Sequence, residues 1–496
     1  MRDTPGVTLF SHGVASGDPA TDRVVIWTRA KTNHGRPVRL QWTLARNPEL
    51  TDVVARGDAE ATADADYTAQ VDVDGLSPDT HYWYAFEGEG ERSTTGRTRT
   101  LPGPDTRHVR FAATSCAKFN AGFFNGYARI AERDDLNFVL HLGDYIYELA
   151  QTPPANQTPG ADIGRPFDPL NECVTLVDYR TRYSQYRGDP DTLSLHHAHP
   201  LIATLDDHEL ADGAWRGGSD NHDPQRDGPW ENRRAAAFQT RREWIPQRLP
   251  NPAQPDRIWR SVNFGGLADL FLIDTRSQRD QPQAGLLAAD PERSQLGHDQ
   301  RAWLFGGIKG SAAQWQLLAN SSVLGQTWAP NSPKALHEGL RWLKLNGADG
   351  GPDADQWDGY PVERALLLEH LRDRDAVVLS GDVHVALAIE LDQKRTPEFV
   401  TASLTSQNLD DKTGWGYRTE SVEVEKDLVA ALNDIIWCDL DDHGYMVIDV
   451  TPERVQVEHW FVDTVLRRTP GQHMAARWEV RPGSGRITRT GGSEGA

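Results

Sequence analysis

Four short apolar runs in this 496-residue chain each end on side chains that bind metal ions. Phe111-Ala112-Ala113-Thr114-Ser115 runs into Cys116. Phe138-Val139-Leu140-His141-Leu142-Gly143 runs into Asp144, with Tyr147 three residues on. Leu201-Ile202-Ala203-Thr204-Leu205 runs into Asp206, Asp207 and His208, and Val377-Val378-Leu379-Ser380-Gly381 runs into Asp382, with His384 two further. Singly, each ending has an ordinary explanation. A lone Cys after a strand is usually a small buried hydrophobe, and Gly-Asp at a strand end is commonly a turn or cap. Tyr147 alone reads as core, Asp-Asp-His as a solvated loop, and His384 as a satisfied loop histidine. Four together are harder to dismiss, because ligands of open α/β sheets collect in the crevice outside the carboxyl ends of the strands. If these strands are neighbours, Cys116, Asp144, Tyr147, Asp206, Asp382 and His384 converge there.

The residue types set the chemistry. Carboxylates sharing one cleft repel unless cations neutralise them, and they suit hard ions such as calcium, magnesium or manganese. Thiolate and phenolate are strong anionic donors that, with Asp and His, suit a trivalent iron. A phenol of pKa ~10 ionises at neutral pH only with help such as a metal gives. The set therefore predicts a mixed cluster of one iron and one or two hard divalent ions. Such a cluster holds a phosphoryl group, stabilises developing negative charge and supplies a metal-bound oxygen nucleophile. His208 could protonate the leaving group if it lies within hydrogen-bond reach, or it could simply support the ligands.

The elements that must position these residues fall into two parts. Residues 1–104 read as all-β. Val24–Trp27, Val38–Leu44 and Tyr67–Val73 are β-branched and aromatic between turn residues. In Leu76-Ser77-Pro78-Asp79-Thr80-His81-Tyr82-Trp83-Tyr84 a Pro turn feeds an alternating strand, where a tyrosine can bond back to the backbone as in sandwich domains. Leu101-Pro102-Gly103-Pro104 closes this part as a linker. From 105 to 496, strands alternate with helices, the pattern of a layered α/β domain. Helical stretches are expected at Gly122–Arg133, Leu296–Trp315 and Pro361–Leu371, the last with Pro in its first turn. Further strands are expected at Ala268–Ile273 and Tyr445–Val450, and a Pro- and Gly-rich surface loop or lid at 150–170.

Composition narrows the function. With 52 Lys+Arg against 72 Asp+Glu the formal charge is −20, which disfavours general nucleic-acid binding. No run of about 18 uncharged apolar residues offers a transmembrane helix. Three cysteines without CxxC spacing exclude a disulfide framework and a zinc knuckle; Cys173 and Cys438 read as unreactive thiols. Met1-Arg2-Asp3-Thr4-Pro5 carries no basic-plus-apolar leader, which fits either a start placed on a mature exported chain or a cytosolic start. His196, His197 and His199 read as packing or capping residues. Arg233, Arg234, Arg241 and Arg242 read as a solvated helix face, and Asp441-Asp442-His443 as a turn. Arg276, just after a strand, is equally suited to reach the cleft or to form a structural ion pair.

Beyond these readings, the sequence resembles the PhoD-type alkaline phosphatases. The likeness rests on Phe10-Ser11-His12-Gly13-Val14-Ala15-Ser16-Gly17-Asp18-Pro19 with Val24-Val25-Ile26-Trp27-Thr28-Arg29, then Ser115-Cys116, His141-Leu142-Gly143-Asp144-Tyr145-Ile146-Tyr147-Glu148 and Asp206-Asp207-His208-Glu209. It continues through Leu272-Ile273-Asp274-Thr275-Arg276, Trp357-Asp358-Gly359-Tyr360-Pro361 and Ser380-Gly381-Asp382-Val383-His384, in family order. The resemblance implies a fibronectin-III-like sandwich at 1–104 and a metallophosphatase α/β domain at 105–496. It also implies ferric iron with one or two calcium ions, and hydrolysis of phosphate monoesters at alkaline pH, with some activity on diesters. By the same resemblance Cys116 and Tyr147 are iron ligands and Asp144 a bridge. Asp382 and His384 complete the cluster, Asp206 lies on the calcium side, and the protein works in an exported compartment. One block departs: where the family places an asparagine that helps hold calcium, this loop reads Leu210-Ala211-Asp212-Gly213. Asp212 either substitutes as an oxygen ligand or leaves calcium bound differently. Alternative readings are a phosphodiesterase or phospholipase D-type enzyme of the same family, and a metal or phosphate binder without catalysis.

Overall fold

A computed structural model of the chain describes residues 9–151, 163–283, 287–326 and 353–493. Most of the loop at 150–170 lies outside these residues. The architecture is four-layered α/β/β/α, with a β-sandwich at its N-terminal end.

A ten-stranded mixed sheet has the parallel strands Val109–Thr114, Phe138–His141 and Pro200–Ala203 side by side near its middle. Antiparallel Gly444–Thr451, Arg454–Val462, Gln472–Val480 and Ile487–Gly491 extend it on one side. A seven-stranded sheet built around Ala268–Leu272, Trp315–Ala319 and Asp375–Ser380, again parallel, packs against it. The period-two alternation of strand side chains explains the layering. Phe111, Ala113, Phe138 and Leu140 face Leu270, Leu272, Leu317 and Val377 in the inter-sheet core. Ala112, Val139 and Leu201 point outward to pack with Tyr127, Tyr183, Phe238 and Trp244 of the covering helices. On the far side, Phe271, Leu318 and Val378 meet Leu304, Leu367 and Leu428. Burying both faces of both sheets makes these strands read as continuous apolar runs rather than alternating ones.

The strands of the first hundred residues divide between two sheets. Val38–Ala45, Val53–Ala61, His81–Gly88, Glu91–Arg92 and Gly96–Arg99 form a five-stranded antiparallel sheet. Val14–Gly17, Val24–Arg29 and Thr68–Val73 instead continue the ten-stranded sheet, joined by parallel pairing of Ser16 with Pro200 and Gly17 with Leu201. At that joint a Cβ on Gly17 would lie 2.1 Å from the Pro246 carbonyl, so only glycine fits. Val14, Ile26, Leu40, Leu44, Tyr82 and Phe86 fill the space between the two sheets. The Ser77 N–H donates to the Tyr82 hydroxyl at 2.9 Å, the corner contact expected from the sequence.

Two expectations need correction. The helix expected at 296–315 spans His298–Gly310, and Trp315 instead opens a strand. Ser311 turns extended at the helix end, and the Trp315 indole donates to the Thr451 carbonyl at 2.8 Å, pinning it between the sheets. The arginines of the helix Trp230–Trp244 are not a solvated face: Arg233 and Arg241 are buried. Arg241 donates to the carbonyls of Ala203 and Thr204, and Arg233 to Glu172 and the Tyr179 hydroxyl. Arg234 and Arg242 both pair with Asp256.

Candidate metal centre

The loops after the strands of both sheets open at one end of the sandwich, and strand pairing carries on into them. The Cys116 N–H donates to the Gly143 carbonyl at 3.2 Å and the Ala117 N–H to the Asp144 carbonyl at 2.9 Å. The backbone must turn sharply to aim these side chains. Cys116, Asp144, Asp382 and His384 all adopt positive φ, between 56° and 69°. That left-handed conformation costs a non-glycine residue free energy and concentrates at functional sites. The glycines before the two aspartates permit the approach. A Cβ on Gly143 would meet Asp206 at 2.5 Å, and one on Gly381 would meet the Ser115 hydroxyl at 2.6 Å.

Potential ligand atoms of Cys116, Asp144 and His384 lie within 4.8 Å of one another, as do those of Asp144, Asp207 and His208, and those of Asp206, Asp207 and Asp382. The shared Asp144 and Asp207 make this one continuous constellation. Tyr147 belongs to it: its hydroxyl donates to Asp144 Oδ2 at 2.7 Å, stands 3.2 Å from His384 Nε2, and accepts from Ser406 at 2.6 Å. The carbonyl of Gln407, 3.0 Å from His384 Nδ1, leaves Nε2 turned to the cluster. All six residues expected from the sequence therefore come together, and Asp207 joins them.

Electrostatics make the constellation unstable as a set of bare anions. Burial pushes Asp144 and Asp206 well above the usual carboxylate range, with His208 and Arg276 respectively pulling the other way. Burial, then the neighbouring Asp144, pushes up the Cys116 thiol and the Tyr147 phenol. Asp206 Oδ2 is buried and takes no hydrogen bond. Buried acceptors are nearly always satisfied, so an oxygen left bare beside further carboxylates fits a cation. A thiol, a phenol, carboxylates and an imidazole in mutual reach fit a hard or trivalent ion, so the residues present suit the metals the sequence implies.

Several supporting residues escaped the sequence reading. Glu209 accepts from the backbone N–H groups of Asp144 (3.0 Å), Tyr145 (2.7 Å) and Asp206 (2.8 Å), locking two loops to one carboxylate. His208 Nδ1 lies 2.7 Å from Glu148 Oε2, and its ring centroid lies 4.1 Å from that of Tyr147, the two planes tilted by 33°. Burial opposes charge on His208, but Glu148, Asp144 and Asp207 outweigh it and hold the imidazolium well above its usual range. Arg276 reaches the cleft: fully buried, it donates to Asp206, to Asp382 Oδ2 at 2.7 Å, and pairs with Asp355 at 2.8 Å. Gln356 donates to Asp382 Oδ2 at 2.5 Å. The only advance signal for Glu148 and Glu209 was their place inside motif blocks, because a charged residue next to a ligand looks the same in sequence as a solvated one. Arg276 stood just after a strand and takes both of the roles open to it there, reaching the cleft and forming ion pairs.

Other sequence candidates fall elsewhere. Asp212 donates its N–H to Glu148 at 2.7 Å, and its carboxylate is in none of the three ligand groups among the described residues. The imidazoles of His196, His197 and His199 bond to Tyr145, Thr94 and the Ile130 carbonyl, as packing residues do. Cys173 and Cys438 are buried, and burial pushes the Cys173 thiol up to about 12. Asp441, Asp442 and His443 form a buried turn between the strands Ile435–Asp439 and Gly444–Thr451.

Comparison with known proteins agrees with the geometry. The PhoD-like phosphatase profile matches residues 111–459, and the profile of the PhoD-like phosphatase N-terminal domain matches residues 2–102. The chain is 30% identical to alkaline phosphatase D of Bacillus subtilis (strain 168), covering 94% of this chain and 80% of that protein. It superposes on the structure of PhoD with a TM-score of 0.86 at 27% identity, covering 99% of this chain and 94% of that one. A purple acid phosphatase from yellow lupin (Lupinus luteus) shares the fold at a TM-score of 0.54 and 13% identity, covering 91% of this chain and 71% of that one. With its fold, its ordered motifs and both profile matches in agreement, the chain belongs to the PhoD-like phosphatase family.

Proposed function

We propose that this phosphatase hydrolyses phosphate monoesters, and to a lesser degree diesters, at a centre of ferric iron and calcium. The observation that carries the reading is the convergence of Cys116, Asp144 and His384 beside Asp206, Asp207 and Asp382, with the Tyr147 hydroxyl 2.7 Å from Asp144. In our assignment Cys116 and Tyr147 would hold iron, and Asp144 would serve iron and its neighbouring ion. Asp382 and His384 would complete the cluster, with Asp206 on the calcium side. Bound there, such ions neutralise charge on the phosphoryl oxygens and acidify a coordinated water.

The chain's own residues do the rest. Arg276 keeps the Asp206 and Asp382 carboxylates oriented and offsets their repulsion. Glu209 fixes the two loops so that the ligands are preorganised. His208 is the proton donor in this reading. Its Nδ1–H is held by Glu148 2.7 Å away, leaving Nε2–H for the departing ester oxygen. Burial opposes that proton, and Glu148 beside the ring favours it.

The remaining assignments follow the same line. We divide the chain at 104/105 into a fibronectin-III-like sandwich and the catalytic domain; the Tyr82 corner supports the sandwich type. We place the protein in an exported compartment on its family membership, and its three buried, unpaired cysteines are compatible with that. Among the described residues no helix is long and apolar enough to cross a membrane. The test is turnover of para-nitrophenyl phosphate and of its diester by metal-loaded wild type, Cys116→Ala and Asp144→Asn. Loss in both variants is expected, and equal turnover in all three would refute the proposal.

A further inference from the structure

A cavity of about 400 Å³ opens beside the metal centre, within the size range of small-molecule sites. Lys118 forms its inner wall. The Lys118 ammonium lies 5.8 Å from the centroid of the ring of Tyr147, whose hydroxyl belongs to the constellation. Its position is fixed by chain direction: Lys118 stands two residues beyond Cys116, in the loop that follows Val109–Thr114.

The charges on the wall are unevenly committed. At the outer side Glu172 pairs with Arg233 at 2.7 Å and with Arg226 at 3.8 Å, while Arg226 also binds Asp227 at 2.6 Å. Asp223 caps a short helix by accepting from the Gln225 N–H at 2.9 Å. Lys118 has no carboxylate within ion-pair distance among the described residues, and its hydrogen bond is to the neutral Gln407 side chain at 3.3 Å. The inner end therefore presents an ammonium with donors to spare. His222, whose side chain is 2% exposed, adds a ring with no hydrogen bond on either nitrogen, and Asp227 Oδ2 stands 3.9 Å away. Phe167 supplies an apolar wall. Buried polar groups left without partners next to a cavity are what a polar ligand would satisfy.

We infer that this cavity receives the alcohol half of the ester and that Lys118 reads a second negative group on it. The favoured substrates are phosphate monoesters of alcohols that also carry a carboxylate or a further phosphate. This rests on the phosphatase reading above and names the substrate class for the same site. A compact ammonium suits either anion as a point charge, and a charge-assisted hydrogen bond in a partly buried site is among the stronger polar contacts.

The test compares phosphoglycolate with hydroxyethyl phosphate, which differ in carboxylate against hydroxymethyl, and adds the bisphosphate of ethylene glycol as a third ester. For metal-loaded wild type, kcat/KM for the two anionic-tailed esters should exceed that for hydroxyethyl phosphate roughly tenfold to a hundredfold. That ratio should collapse in Lys118→Gln and largely return in Lys118→Arg. Calorimetric binding of free glycolate, tighter than ethylene glycol in wild type and not in Lys118→Gln, gives a readout independent of turnover. Similar kcat/KM for all three esters in an active wild type would overturn this inference alone. Preference for one anionic ester only would identify its tail as the ligand and support the assignment of Lys118. A wild type with its metals bound that turns over no ester, para-nitrophenyl phosphate included, would overturn the phosphatase reading as well.

Discussion

Replacing Arg276 by Met tests how the acidic side of the centre is held together. The guanidinium is fully buried and contacts Asp206, Asp382 and Asp355, so Met removes the charge and leaves carboxylates stranded in the interior. Breaking a buried ion network by deleting one partner costs about 3–5 kcal/mol. Protonation limits the damage, because burial already favours the neutral form of Asp206. The cost in metal-free protein should therefore settle near the lower end, about 3 kcal/mol. At about 2.1 cal/mol/K per residue, a cooperative 496-residue unit loses roughly 1 °C of Tm per kcal/mol, so a drop of about 3 °C is expected. A hard cation bound by Asp206 and Asp382 would take over the neutralisation, and with saturating calcium the drop should shrink to about 1 °C or less. Scanning calorimetry with chelator and with calcium measures both. Arg279→Met is the control. Arg279 binds Asp355 at 2.5 Å and the Ala214 carbonyl at 2.8 Å, so its penalty should not respond to calcium. An Arg276→Met penalty equal in the two conditions would refute the claim that Arg276 and a cation serve the same carboxylates.

Other outcomes follow from single contacts. Tyr147→Phe removes the phenol that lies 2.7 Å from Asp144, and should bleach the visible charge-transfer absorption of iron-loaded protein. A band left at full strength would remove Tyr147 from the ligand set. His208→Gln and Glu148→Gln should each slow hydrolysis of alkyl phosphates by roughly 10²–10⁴ and of para-nitrophenyl phosphate much less, because a nitrophenolate leaves without a proton. Equal slowing of both ester types would assign the pair to structure instead. Asp442 is pushed up to about 7, mainly by burial and then by Asp439. Its folded pKa lies above the unfolded value, so wild type loses stability as pH rises from about 4 through 7. Asp442→Asn should then gain on wild type by roughly 2–3 kcal/mol between pH 5 and pH 9 in thermal unfolding. A Tm difference that does not change with pH would contradict the assignment.

How much was legible in the sequence depended on what each residue had to do. Strands buried on both faces leave unbroken apolar runs, so Phe111–Thr114, Phe138–His141 and Val377–Leu379 were read at nearly their observed bounds, and so were the ligands at their ends. The helix Leu176–Arg187 was missed because its buried face is Tyr179, Tyr183 and Tyr186 with Arg182, which carries no apolar period. Its one sequence signal was the Thr175–Asp178 capping box. The burial of Arg233 and Arg241 was hidden for a related reason: the partners that satisfy them, such as the Ala203 carbonyl and Glu172, come from distant segments. The joining of Val14–Gly17 to Pro200–Ala203 was likewise invisible, because parallel pairing across that separation leaves no local pattern. Arg276 and Glu209 sat in plain view, yet their roles depend on which carboxylates and N–H groups the fold brings to them.

Metal content is the most direct test of the centre. Elemental analysis of wild type purified without added metal, with Cys116→Ala, Asp144→Asn and Asp206→Asn alongside, should give one iron and one or two calcium ions per chain. Iron should fall in the first two variants and calcium in the third. Wild type that is free of both metals yet hydrolyses phosphate esters at full rate would contradict the account.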